Sequence, residues 1–94
     1  MVIGVLRLQL HLPGCISLKE KRSRLKPLMA RLHRKFNLSV AEVDHQDAWQ
    51  EAVIACAMVS NDNGSIQRSL QSVVNWVENS WIDVQLVDEQ IELI

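Results

Sequence analysis

The chain has 94 residues, 48% of them apolar and 22% charged, with a net charge of −1 at pH 7. That length holds one domain with its own core, and the composition excludes a disordered chain; no uninterrupted apolar run nears the ~20 residues a membrane helix needs. The near-neutral total hides a division: nine cations against Glu20 alone give residues 1–36 a net +8, and Arg68 against ten carboxylates gives residues 37–94 a net −9.

In chain order, residues 2–12 alternate, with Leu6, Leu8, Leu10 and Leu12 on one face and Arg7, Gln9 and His11 on the other, which predicts a strand. Pro13-Gly14 ends it. Ser17-Leu18-Lys19-Glu20 fits a capping box, with Ser17 as N-cap. Leu18, Leu25, Leu28, Met29, Leu32 and Phe36 then form an apolar helical stripe, and Pro27 falls opposite it, on the solvent side, which predicts one kinked helix. Residues 38–44 and 50–60 read as two further strands. Ala52 to Val59 is apolar on both faces, as in a central strand. Ser60 to Ser65 is dense in turn and capping residues, and Ile66, Leu70, Val73, Val74 and Val77 mark a second helix with Trp76 at its edge. Ile82, Val84 and Leu86 predict a last strand over 82–87, with a more ambiguous tail to Ile94.

The order β-α-β-β-α-β at these lengths is the ferredoxin-like α+β plan, a four-stranded antiparallel sheet with both helices on one face and residues 1–94 in a single domain. Cys15 and Cys56 form no metal or redox pair by spacing. No secretory signal is legible, so both read as free thiols of a cytoplasmic protein.

Several stretches carry a family resemblance. They are Ile3-Gly4-Val5, Ser17-Leu18-Lys19-Glu20-Lys21-Arg22, Val40-Ala41-Glu42-Val43-Asp44-His45-Gln46-Asp47 with Trp49-Gln50, and Val59-Ser60-Asn61-Asp62. Together they resemble the YlxP-like family of small bacterial proteins of unassigned function. The resemblance covers nearly the whole chain and implies a ferredoxin-like fold. In many bacteria the genes of that family sit near those for translation initiation and ribosome maturation, ribosome-binding factor A among them. The family brings no catalytic or ligand residues to carry over.

Two places stand out as candidate sites. The first helix holds Lys19, Lys21, Arg22, Arg24, Lys26, Arg31, Arg34 and Lys35, eight of the ten lysines and arginines. Lys19, Arg22, Lys26 and His33 line one flank of its apolar stripe, Arg24, Arg31 and Lys35 line the other, and Arg34 points outward. Such a helix can follow phosphates. The plainer reading is a solvated face whose long stems cover the core and pair with the acidic remainder. The second place is the loop Asp44-His45-Gln46-Asp47 with Trp49. Its residue types could ligate a metal with His11, but one histidine and no nearby cysteine make a poor zinc set. The plainer reading is an Asx-type turn whose carboxylates cap amides while Trp49 packs down on it.

Base-reading sheets carry aromatics on their central strands, and here those strands have none. No phosphate-cradling loop, dinucleotide fingerprint or nucleophile elbow is present. The sequence therefore predicts a non-enzymatic accessory protein with no cofactor and no metal, binding RNA or a ribosomal subunit by its backbone through the basic helix. An alternative is a homodimeric adaptor for an acidic protein surface. A third reading is a metal-dependent enzyme at His45. Because the helices cover one side of a sheet whose other side carries Ile3 and Val5, a homodimer over that open side is expected.

Overall fold

The computed structural model describes residues 1–81 and 83–94. Its elements are β1 (Val2–His11), α1 (Leu18–Phe36), β2 (Ser39–Asp44), β3 (Glu51–Ser60), α2 (Asn63–Ser80) and β4 (Gln85–Leu93). The strands form one antiparallel sheet in the order β2-β3-β1-β4, which is the ferredoxin-like arrangement. No described helix is long and apolar enough to cross a membrane.

The period of β1 explains the core. Leu6, Leu8 and Leu10 stand opposite Cys56, Ile54 and Ala52 of β3, so one sheet face is continuously apolar. Leu25, Leu28 and Leu32 of α1 and Ile66, Leu70, Val73, Val74 and Val77 of α2 close over it. Each such leucine, fully withdrawn from water, contributes roughly 1.5–3 kcal/mol. Gly4 lets α2 come close: a Cβ there would lie 2.7 Å from Ile66 Cδ1 and 2.9 Å from Leu70 Cδ1.

The helix ends follow their local chemistry. Ser17 Oγ accepts the Glu20 N–H at 3.0 Å, as a capping box requires. The Glu20 carboxylate reaches one residue further back than expected and accepts the Ile16 N–H at 2.8 Å. Pro27 is exposed inside one continuous helix, which ends on Asn37 in the left-handed region (φ 55°). Asp62 caps α2, accepting from Gly64 and Ser65.

The last strand differs from the expectation. Ile82 lies outside the described residues, and β4 runs over Gln85–Leu93 rather than 82–87, so the tail is strand. Its pairing with β1 slips between Gln9 and Leu10: Asp88 faces Gln9 while Leu86 faces Leu10, leaving Val87 as the extra residue of a bulge. The bulge keeps Leu86 on the same side of the sheet as Leu93, and both are half-buried against the core. The uncovered sheet face carries Ile3 and Val5 of β1 with Val53, Ala55, Ala57 and Val59 of β3.

Candidate nucleic-acid interface

Helix α1 lies over β2, and α2 over β1 and β4. Lys19, Arg22, Lys26, Arg31, Arg34 and Lys35 are all exposed on α1. The ion pairs among the described residues are His11–Glu51 and Lys21–Glu42, so these six cations have no carboxylate within 4 Å. The anticipated pairing with the acidic remainder is absent there. Sheet order accounts for part of this: Asp88, Glu89 and Glu92 ride on β4, at the edge opposite β2. Lys35 does lean on its neighbour, with Nζ 5.7 Å from the Phe36 ring centroid.

Two expected members do not belong to this surface. Arg24 is partly withdrawn, and its guanidinium donates to the Pro13 carbonyl at 2.9 Å and to the Asp83 carbonyl, stapling the loops on either side of α1 and α2.

Lys21 is the larger correction. It is 1% exposed, sunk among the core leucines. Its Nζ donates to the His45 carbonyl at 2.6 Å and sits 2.7 Å from Glu42 Oε2. The Glu42 oxygen has no aligned hydrogen-bond donor, so this is a charge contact more than a directed bond. The signal was present in the sequence: at 100° per residue, position 21 falls between 28 and 32, inside the apolar arc.

Lys21 thus ties α1 to the Asp44–Trp49 loop. His45 takes a left-handed backbone (φ 58°), uncommon outside glycine, and Asp44 Oδ1 accepts its N–H at 2.8 Å. The His45 carbonyl also accepts the Ala48 N–H at 3.0 Å, closing the turn. The turn is therefore capped as expected, but Trp49 does not pack down on it: the indole is 52% exposed. His11 is engaged elsewhere, with Nδ1 2.9 Å from Glu51 Oε1. Among the described residues no three His, Cys, Asp or Glu side chains converge to hold a metal ion.

A compact α+β domain with an unneutralised basic helix on one side is the class that fold and surface define. Residues 3–91 match the family described as "Protein of unknown function (DUF503)", and the chain belongs to that family. A relative, "Uncharacterized protein YlxP" of Bacillus subtilis (strain 168), is 38% identical over 63 residues, 67% of this chain and 68% of its own. Two solved structures are similar in outline. The de novo designed protein Ferredog-Diesel matches 96% of this chain and 83% of its own at 10% identity, with a TM-score of 0.47. SnoaB, a cofactor-independent oxygenase from Streptomyces nogalater, matches 99% and 89% at 14% identity, with a TM-score of 0.44.

Proposed function

We propose that this protein is an RNA- or ribosome-associated accessory factor that grips the phosphate backbone through the exposed face of α1. The observation that carries the reading is the six exposed cations on one helix with no carboxylate partner among the described residues. Unneutralised lysines and arginines repel one another, and contact with phosphates relieves that repulsion while releasing condensed counterions. The central strands offer no aromatic platform, so the backbone rather than base sequence supplies most of the affinity.

The test is a salt titration of binding to structured RNA, with sedimentation alongside ribosomal subunits. Reversing Lys19, Arg22 and Lys26 to Glu leaves the apolar stripe intact. It is expected to weaken binding across sequences and to lower the salt slope by about 1 per lost phosphate contact. If wild-type protein neither shifts RNA nor co-sediments at low salt, the reading fails, and an acidic protein partner lost in the same variant would support the adaptor alternative.

A second feature concerns assembly and uses the opposite side of the molecule. One end of the uncovered sheet face is apolar, with Ile3, Val5, Ala57 and Val59, the last 66% exposed, while Arg7 and Gln9 lie on the same face further along β1. Four strands at about 4.8 Å spacing make a face wide enough for an interface of standard size. We infer a homodimer over this face, leaving α1 free on both protomers. Light scattering that returns a monomer at tens of micromolar would overturn it.

A further inference from the structure

Strand β4 is an edge of the sheet, and among the described residues no strand lies beyond it. Its backbone phase follows from its last bonds. Ile3 and Ile94 each donate an N–H to the other's carbonyl, at 3.0 and 2.8 Å, so they form a hydrogen-bonded pair. Such pairs alternate along an antiparallel ladder. Glu92 and Gln90, which face Val5 and Arg7, therefore bond to β1, while Leu93, Ile91 and Glu89 turn their backbone groups to the open edge. The Glu89 N–H fits this phase, since it donates to its neighbour's carboxylate, Asp88 Oδ1, at 2.9 Å. Ile91 and Leu93 are left to offer an N–H and a carbonyl each to an incoming strand.

The same two residues line a groove. About 380 Å³ of space lies between β4 and α2, bounded by Ile91, Leu93, Gln67, Arg68 and Gln71, and Ile91 is 37% exposed. On the uncovered face of the sheet, Asp88, Gln90 and Glu92 stand beside Gln9, Arg7 and Val5. β4 carries three carboxylates and no cation, and none of the three has a cation within 4 Å among the described residues.

An exposed edge with open backbone groups is a template for a further strand. A second copy pairing through its own β4 would bring three carboxylates from each side to one seam, and like charges across a seam destabilise it. A cationic strand meets the opposite condition. We propose that β4 docks an extended basic segment of another protein as a fifth, antiparallel strand. Its apolar side chains cover Ile91 and Leu93, and its alternate lysines or arginines lie beside Asp88 and Glu92. Arg68, on the groove side, keeps the partner's cations to the uncovered face. Asp88 and Glu92 are about 13 Å apart along the strand, so cations four residues apart in the partner meet both. Main-chain bonds supply affinity in this mode and alternate side chains supply selectivity. Helix α1 lies over β2, at the far edge, so the inference is independent of how α1 is read.

The experiment uses a synthetic peptide of about ten residues that alternates lysine and valine, at low salt. One control alternates glutamate and valine. Another is the lysine peptide N-methylated at every valine, which keeps each charge and removes the N–H groups facing Ile91 and Leu93. Binding is followed by fluorescence anisotropy and located by backbone amide exchange. The lysine peptide is expected to bind and to slow exchange of the Ile91 and Leu93 amides, and neither control should do so. Asp88→Asn combined with Glu92→Lys, both at exposed positions, is expected to weaken binding roughly 2- to 30-fold, with circular dichroism checking the fold. The proposal is overturned if wild type does not bind the lysine peptide, if the methylated peptide binds equally well, or if the Ile91 and Leu93 amides exchange unchanged at saturation. Protection of those amides that grows with protein concentration alone would assign the edge to a second copy and overturn it too.

Discussion

Replacing Lys21 by Met keeps the aliphatic stem in the core and removes the charge that links α1 to β2 and the following loop. The variant leaves the Glu42 carboxylate facing the site with no cation, 2.7 Å from where Nζ was. Breaking a buried ion pair from one side costs about 3–5 kcal/mol. Two features lower that figure here. Glu42 retains 22% side-chain exposure, so water recovers part of its solvation. The His45 carbonyl keeps its bond from the Ala48 N–H. The expected destabilisation is therefore about 2–4 kcal/mol, a large share of the roughly 5–14 kcal/mol available to a domain of this length. In a thermal melt it corresponds to a drop of about 10–25 °C, and urea unfolding followed by circular dichroism gives the free energy directly. Adding Glu42→Leu removes the stranded carboxylate and is expected to restore stability to within about 1 kcal/mol of wild type. A Lys21→Met protein that unfolds at the wild-type urea midpoint would refute the reasoning, as would a double variant no better than the single one.

Three further substitutions or conditions test other parts of the fold. Gly4→Ala places a methyl against the tips of Ile66 and Leu70, which can give way, so a loss of about 1–3 kcal/mol in urea unfolding is expected. Arg24→Ala breaks the staple to the Pro13 and Asp83 carbonyls and is expected to cost about 1–2 kcal/mol, while lowering RNA affinity less than Arg22→Ala does in the same titration. Burial pushes the Cys56 thiol from 9.0 up to about 12. Between those values the unfolded chain releases a proton that the folded one keeps, so stability is full below the lower value and falls as pH rises toward the upper. Urea midpoints measured across that alkaline range should decline, and Cys56→Ala should flatten the decline. Cys56 should also resist alkylation until the protein unfolds.

Sequence periodicity located β1, β3 and both helices because each buries one strongly apolar face, and the ferredoxin-like order followed from them. It stopped β4 early for a physical reason. Leu86 and Leu93 lie on one side of the sheet at an odd separation, which only the extra residue Val87 allows, and a strict period of two reads such a phase change as an ending. The basic helix was legible as a composition, but Lys21 was counted with its neighbours because a charged residue is expected outside. Its place on the helical wheel, between Leu28 and Leu32, said otherwise. Trp49 failed in the reverse sense: its size suggests burial, yet the ring stands half in water on the loop that follows β2.

The separation of α1 from β4 has a consequence for how the molecule behaves among its own kind. A protein with a sequence pI near 6.3 and a net charge of −1 has almost no monopole to keep copies apart at neutral pH. What it has is a dipole, with a cationic helix over one edge of the sheet and Asp88, Glu89 and Glu92 at the other. Two such molecules attract head to tail, a heterologous contact that leaves both ends open and grows into chains rather than closing. Dilute electrolyte, with its long Debye length, favours that growth, and added salt disperses it. Turbidity that clears as salt is raised is therefore the expected solution behaviour, opposite in sense to the salting-out of an apolar surface. A polyanion bound along α1 would cap the positive end and dissolve the chains without added salt.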